Sequence, residues 1–267
     1  MPQPERDAMF ANERRNYIKK LILQNKKIEV FRLSTQLGVS EVTIRKDLEY
    51  LENTGFLIRT HGGAVLNEAF GSSGDNGSDL TPQHIQTISN TASCLIDNGD
   101  LIYLGADTLC TAIAQKLLQR QMLTIITNNL AAAETVSEYP NIKTIVPGGD
   151  VGKERDTCLL KGEQCRTFLE TIHYDKAIFG VDALKFSSGF MMRDSDSCGI
   201  YRSVWKQADQ KIIIAPSDVF NKNAFYPVAG LDEAHIIVSD EKMPEDYMNY
   251  FAEHNIKVFT TYNFDLN

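Results

Sequence analysis

Residues 27–55 read KIEVFRLSTQLGVSEVTIRKDLEYLENTG, and this stretch decides how the first part of the chain folds. The spacing of its apolar residues predicts a short helix over Val30–Leu37, and Gly38 permits a tight turn directly after it. Ser40 is a good N-cap, because its hydroxyl can accept a backbone N–H from the first turn of a following helix. Two helices joined by such a turn form a helix-turn-helix unit.

The helix that follows Ser40 has one apolar face and one polar face. Ile44, Leu48 and Leu51 are spaced four and three residues apart, so they share an inward face. On or beside the outward face of the first two turns lie four polar residues: Glu41, Thr43, Arg45 and Lys46. A recognition helix presents its side chains to the major groove of DNA from these positions.

The flanking segments complete a winged helix-turn-helix. Asn12–Gln24 repeats apolar residues at helical spacing and predicts a preceding helix. Gly55 is expected to end the recognition helix, and FLIRTHGGAVL at 56–66 has the strand-turn-strand chemistry of a wing, with Arg59 and His61 beside its tip. The alternative is an amphipathic surface helix that binds nothing. The ordered set of parts is more specific than any single helix, so it favours DNA binding.

The distribution of charge supports two parts with different partners. The 267-residue chain has a net charge of −8, which taken alone argues against nucleic acid. Residues 1–66 nevertheless contain 11 Lys/Arg against 8 Asp/Glu, whereas the remainder contains 16 against 27. A mildly basic head therefore precedes a strongly acidic body.

Composition excludes several other classes of protein. No apolar run approaches the length of a membrane span, and the first residues contain no secretory h-region. The five cysteines are scattered without a CxxC pair, and the five histidines have no ligand spacing. We therefore expect a cytoplasmic protein with reduced cysteines, no metal site, no cofactor and no membrane partner.

The body is predicted to be a separate α/β domain. Residues 67–82, NEAFGSSGDNGSDLTP, are polar and rich in Gly and Ser, so we expect a flexible linker between a domain at 1–66 and another at 83–267. Short apolar runs alternate with helical stretches there, as is typical of a mainly parallel sheet with helices on both faces. The predicted strands are 101–104, 123–127, 144–147, 176–181, 211–215, 235–239 and 257–261, and the predicted helices include 84–96, 108–118 and 130–138.

Loops at the carboxyl ends of parallel strands are the usual ligand sites of such sheets. LGADT at 104–108 leads into a helix whose free N–H groups can hold an anion, and the glycines of PGGD at 147–150 permit close backbone approach. Lys153, Arg155 and Lys161 follow soon after and can neutralise a phosphate. The candidate effector-binding residues are Asp107, Thr108, Asn128, Gly148, Gly149, Lys153, Asp182 and Arg193. The alternatives are that the glycines serve turns, that Asn128 caps its helix, and that the single charges are only solvated.

Residues 37–65, LGVSEVTIRKDLEYLENTGFLIRTHGGAV, resemble the signature of the deoxyribose-operon-repressor (DeoR) family of bacterial transcription regulators. The acidic body is similar to that family's sensor domain, which has a fold like those of ribose-phosphate isomerase and glucosamine-phosphate deaminase. The resemblance implies a repressor that binds double-stranded operator DNA, senses a small molecule, usually a phosphorylated sugar, and forms a homodimer or homotetramer. The implied DNA-binding residues are Ser40, Glu41, Thr43, Arg45 and Lys46, with Arg59 and His61 in the wing.

Two segments of the C-terminal part depart from the family pattern. Residues 105–109 read GADTL where the family has an Asp-x-Gly-Thr-Thr-like phosphate loop, and Ser217–Phe220 lacks the lysine of a Ser-Lys-Phe motif. The effector is then either not the usual sugar phosphate or is held by Lys153, Arg155 or Arg193. Two other functions are weighed: a sugar-phosphate isomerase or deaminase with a DNA-binding head, and an architectural DNA-binding protein with an inert body. The enzyme would use Asp182 as its base, with Lys185 nearby.

Overall fold

The computed structural model describes residues 11–25, 27–53, 56–66, 80–154 and 157–260, which form two compact units divided between residues 78 and 79. Gly55, Arg155 and residues 67–79 of the predicted linker lie outside the described residues. Each unit is described by itself below.

The N-terminal unit is a winged helix-turn-helix, as predicted. Its elements are α1 (Ala11–Asn25), β1 (Lys27–Glu29), α2 (Val30–Leu37), α3 (Glu41–Asn53), β2 (Leu57–Thr60) and β3 (Gly63–Leu66). The three strands form an antiparallel sheet in the order β1-β3-β2. Strand β1 was not predicted; it forms because Ile28 is buried and pairs with Ala64 of the wing.

One small core holds the N-terminal unit together. Ile18 and Ile22 of α1 are fully buried, as are the three apolar residues that the sequence assigned to the inward face of α3. An ionic contact joins the same two helices, since the buried Asp47 of α3 accepts from both Arg14 and Arg15 of α1. Apolar packing and this ion pair together set the position of α3.

The C-terminal unit is built on a seven-stranded parallel sheet, which confirms the predicted class. Its strands are β4 (Leu101–Leu104), β5 (Leu123–Thr127), β6 (Ile142–Ile145), β9 (Tyr174–Gly180), β12 (Ala208–Ile214), β14 (Ile236–Val238) and β15 (Lys257–Phe259). They lie in the order β15-β14-β12-β9-β4-β5-β6, and every neighbouring pair is parallel.

Helices cover both faces of this sheet, because its central strands are apolar on both sides. Ile178 packs into one apolar cluster and the next residue, Phe179, packs into the other, as successive strand residues must. The first cluster is covered by α4 (Pro82–Ser93), α5 (Thr108–Lys116) and α6 (Leu130–Ser137). The second is covered by α7 (Glu163–Glu170), α8 (Ser195–Gln207) and α9 (Glu245–Glu253).

Some predicted boundaries were wrong. Strand β6 covers 142–145 rather than 144–147, because Ile142 is buried and pairs with Leu123. Helix α4 begins at Pro82, inside the predicted linker, because Thr81 caps it by accepting the backbone N–H of His84 at 3.3 Å. A proline is suited to this first helical position because its missing N–H has no intrahelical partner there.

Two antiparallel additions were not predicted at all. A hairpin of β7 (Asp150–Glu154) and β8 (Thr157–Lys161) follows β6. A three-stranded sheet contains β10 (Ala183–Lys185), β11 (Gly189–Met192) and β13 (Tyr226–Ala229). Both additions lie just after carboxyl ends of the parallel strands, so they extend the edge that carries the candidate effector residues.

Candidate functional site

The start of α3 is built by two hydroxyl groups. Ser40 Oγ accepts the backbone N–H of Thr43 at 3.2 Å and lies 3.0 Å from Thr43 Oγ1. Gly38 before it has φ +65°, the left-handed conformation that the turn requires. Two of the residues predicted to contact DNA therefore also have a structural role, as the cap of the helix that carries the others.

The outward face of α3 is exposed. Arg45 and Lys46 both lie on it, and Arg45 Nη2 forms an ion pair with Glu41 Oε2 at 3.0 Å. The structure also places Val42 on this face, with 64% of the residue exposed. Val42 was not predicted on this face, because only polar residues were selected for it. Its angle from the buried residues of α3 would have placed it there.

The wing is tied to the end of α3 through Arg59. The backbone N–H and the Nε of Arg59 donate to the carboxylate of Glu52 at 3.0 and 2.7 Å. These hydrogen bonds hold the pKa of Glu52 below its usual value. His61 is exposed at the tip beside Gly62, whose φ is +86°. The seven predicted DNA-binding residues thus belong to one unit, on α3, its cap and the wing.

In the C-terminal unit, Asp107 joins two loops at the carboxyl edge of the sheet. Its side chain caps α5 by accepting the backbone N–H of Cys110 at 2.8 Å, and it also accepts the backbone N–H of Gly180 at 2.9 Å. Burial, and next the charge of Asp107, raise the pKa of the Cys110 thiol, which donates to the same carboxylate. Thr108 beside it is exposed. The carboxylate that departs from the family loop therefore has a structural role.

The loop after β5 is also stabilised by internal hydrogen bonds. Asn128 is buried, accepts from the Tyr103 hydroxyl at 2.8 Å and donates to the Leu160 carbonyl at 2.9 Å. The alternative that Asn128 caps its helix is wrong, since Asn129 accepts the backbone N–H of Ala132 and is the cap of α6. The cap is Asn129 because α6 begins at Leu130, directly after it.

The loops after β4, β5 and β9 meet directly. Asn129 Nδ2 donates to the carbonyl of Asp107 at 3.2 Å, and Asp107 contacts Gly180 as described. Asp182 follows β9, is buried and accepts the backbone N–H of Arg193 at 2.8 Å. The structure therefore brings Asp107 and the Asn128–Asn129 loop together, and it places Arg193 beside Asp182.

The remaining candidates lie on and before the β7–β8 hairpin. Gly149 has φ +138°, and a Cβ there would lie 2.5 Å from the carbonyl oxygen of Lys161. Gly148 has open space around it and Lys153 is exposed. Of these two glycines, Gly149 is therefore the one that the fold requires. This agrees with the alternative that a glycine is present here for the turn.

A cleft lies at the opposite, amino-terminal edge of the sheet and contains none of the predicted effector residues. Its lining includes His235, His254 and Lys257. Partial burial, and next the charge of Lys211, lower the pKa of His235 from its usual value of 6.5.

Within the described ranges, no group of His, Cys, Asp or Glu side chains is arranged to hold a metal ion. None of the helices in those ranges is long and apolar enough to cross a bilayer.

Comparison with known proteins identifies both units. Residues 14–70 match the family model of the DeoR-like helix-turn-helix domain, and residues 82–241 match that of the DeoR C terminal sensor domain. The putative aga operon transcriptional repressor of Escherichia coli O157:H7 is 25% identical over 95% of each chain. The glycerol-3-phosphate regulon repressor of Escherichia coli K12 is 24% identical over 94% of this chain and 99% of that protein.

Among solved structures, the chain is similar to ribose 5-phosphate isomerase A from Neisseria gonorrhoeae. The TM-score is 0.38 and the identity 11%, over 54% of this chain and 56% of that one. The match to the sensor-domain model covers more than half of the chain, and the helix-turn-helix match precedes it. The chain therefore belongs to the DeoR family of transcriptional regulators.

Proposed function

We propose that the chain represses a carbohydrate-related operon by binding its operator DNA, and that a small metabolite bound in the C-terminal unit modulates this binding. The observation that carries the proposal is the exposed outward face of α3, where Arg45 and Lys46 lie in the first two turns of a capped recognition helix. We further propose that the protein acts in the cytoplasm as a homodimer or homotetramer and is not an enzyme.

The residues of α3 differ in what they offer to DNA. Lys46 is exposed and can reach a phosphate or a guanine edge. Arg45 can do the same once its ion pair with Glu41 opens, and an exposed pair of this kind costs only a few tenths of a kcal/mol to break. Ser40 and Thr43 serve mainly as the helix cap, and Arg59 and His61 approach DNA from the wing.

The effector site is proposed at the carboxyl edge of the sheet. Asp107, Asn128 and Asp182 make internal hydrogen bonds there, so we assign them a positioning role. Thr108 and Lys153 are exposed and Arg193 is partly exposed, so these three residues, with Gly148, are left to contact the ligand. The cations suit an anionic metabolite such as a phosphorylated sugar, and the name of the related glycerol-3-phosphate regulon repressor supports a phosphate ester.

The DNA-binding part of the proposal is tested with the purified full chain. A pool of random duplexes is selected for binding, and the affinity for the selected site is compared with that for a scrambled duplex at one salt concentration. Lys46→Ala and Arg45→Ala should each weaken selective binding about tenfold. Lys242→Ala, an exposed lysine of the C-terminal unit, is the matched control and should leave it unchanged. Equal affinity of the wild type for both duplexes would contradict the proposal.

The effector part is tested on the same complex. Inorganic phosphate, glycerol 3-phosphate and ribose 5-phosphate are added singly, and the operator affinity and the melting temperature of the protein are measured. A supporting result is a change in operator affinity with one ester, reduced by Arg193→Ala or Lys153→Ala. No effect of any anion on either quantity would count against a phosphorylated effector.

The enzyme alternative is less favoured. Lys185 Nζ donates to Asn223 Oδ1 at 2.7 Å, and Asp182 accepts the Arg193 N–H, so these two side chains are engaged in different contacts. The named relatives are repressors. Turnover of ribose 5-phosphate by the wild type that is abolished in Asp182→Asn would restore the alternative.

A further inference from the structure

Val42 occupies an unusual position for an aliphatic residue. It lies in the first turn of α3 with 64% of its surface exposed, although burial is what ordinarily stabilises a valine. A β-branched side chain is also a weaker helix former than alanine, because its χ1 rotation is restricted by the preceding turn. Neither local propensity nor packing within this unit explains a valine here.

The direction of Val42 follows from the geometry of the helix. Successive residues advance by about 100°, so the buried Ile44, Leu48 and Leu51 define one side of α3. Val42 and Lys46 lie four residues apart on the opposite side. Glu41 and Thr43, which were predicted on or beside the outward face, are flanking positions and are only partly exposed.

If α3 enters the major groove, Val42 is therefore the apolar group nearest the centre of the inserted face. The major groove offers a single apolar feature, the 5-methyl group of thymine, among donors and acceptors. The neighbouring Arg45 and Lys46 provide charged contacts but no apolar surface that would match it.

We propose that Val42 determines sequence specificity at one base pair of each half-site by packing against a thymine methyl group. This inference rests on the proposed DNA-binding function and deepens it. Removing one buried methyl contact corresponds to a loss of about fourfold in affinity.

The test replaces each thymine of the selected operator in turn by deoxyuridine, which removes only the methyl group. The wild type should lose about fourfold at one thymine of each half-site and change little at the others. Val42→Ala should bind the original operator about fourfold more weakly and should no longer distinguish thymine from deoxyuridine at that position. Val151→Ala, which shortens a 71% exposed valine of the C-terminal unit, is the matched control and should behave as the wild type.

The melting temperature separates this effect from a folding defect. Val42→Ala should be at least as stable as the wild type, because alanine is the better helix former at an exposed position. Loss of the same thymine discrimination in a fully folded variant supports the proposal. Identical deoxyuridine profiles for the wild type and Val42→Ala would overturn it while leaving selective operator binding intact. A wild type without any selective binding would instead remove the proposed function and this inference with it.

Discussion

The recognition helix and the carboxyl edge of the sheet hold their side chains in opposite ways. Arg45, Lys46 and Val42 lie exposed on α3. Asp107 and Asn128 instead donate or accept several internal hydrogen bonds that join neighbouring loops. A DNA-binding surface must be open to a large rigid duplex, whereas a small-molecule site needs a preorganised frame around a few accessible groups.

This difference changes how substitutions in the two regions should be interpreted. An exposed residue of α3 can be replaced with little effect on folding, so a loss of DNA binding reports a lost contact. Replacing a hydrogen-bonded residue at the sheet edge disturbs the loops themselves, so a loss of effector binding there has two explanations. Stability therefore has to be measured alongside binding in the C-terminal unit.

The largest expected effect comes from Asp47, a charged residue of α3 that is buried. Asp47→Ala leaves Arg14 and Arg15 without the carboxylate that both contact, and we expect the free energy of unfolding of the N-terminal unit to fall by about 3 kcal/mol. Glu41→Ala removes the exposed ion pair with Arg45 and should cost less than about 0.5 kcal/mol. Denaturant unfolding measures both, and equal losses would break the distinction between the two sides of α3.

Asp107→Ala should have the next largest effect. It removes the cap of α5 and the link to Gly180, so the C-terminal unit should lose about 2 kcal/mol of unfolding free energy. Thr108→Ala, at the adjacent exposed position, should stay within about 0.5 kcal/mol of the wild type. If Asp107→Ala unfolds like the wild type but loses effector binding, Asp107 is a direct ligand and not a positioning residue.

Gly149→Ala and Gly148→Ala compare two neighbouring glycines. A side chain at 149 meets the Lys161 carbonyl and requires positive φ, so we expect a loss of about 1.5 kcal/mol in thermal or denaturant unfolding. Gly148 has open space for a Cβ, and its replacement should leave stability nearly unchanged. A larger loss of stability in Gly148→Ala than in Gly149→Ala would contradict this, because it would show that the hairpin accepts a side chain at position 149.

The smallest effect concerns pH. The pKa of His235 is lowered, so the unfolded chain binds its proton more readily than the folded one. His235 therefore contributes fully to the stability of the folded state above pH 6.5, its usual pKa. This contribution to stability is lost as the pH falls through the lowered pKa of the folded state. The melting temperature of the C-terminal unit should therefore fall less between pH 7 and about pH 5 in His235→Gln than in the wild type. An unchanged pH dependence in the variant would contradict this.

Local sequence was enough to predict most of the recognition helix. Its cap at Ser40 and its inward face of Ile44, Leu48 and Leu51 depend on neighbours within a few residues, and the structure has them as predicted. The exposed position of Val42 was not predicted, because residues of the outward face were chosen by polarity and not by their angle from the buried residues.

The sheet edge could be predicted only in part. Parallel strands and their order in the chain follow from apolar runs, so the positions of the strand-end loops were correct to within a few residues. The hydrogen bond between Asp107 and Gly180 joins residues that are far apart in sequence, so a local sequence pattern cannot predict it. Asn129 rather than Asn128 caps α6, whereas Asn128 donates to the Leu160 carbonyl, which is also far away in sequence.

The sequence by itself determined that the chain has a winged helix-turn-helix unit and an α/β unit, and which face of α3 is exposed. It could do so because helix caps and apolar periodicity depend on residues that are close together along the chain. Only the tertiary structure decided which polar residues remain accessible at the sheet edge. A carboxylate or amide that neighbouring loops can satisfy is drawn into internal hydrogen bonds, since leaving a buried polar group unpaired costs more than the bond itself contributes. Asp107 and Asn128 became part of the frame for that reason, while Thr108 and Lys153 remain exposed and Arg193 partly exposed.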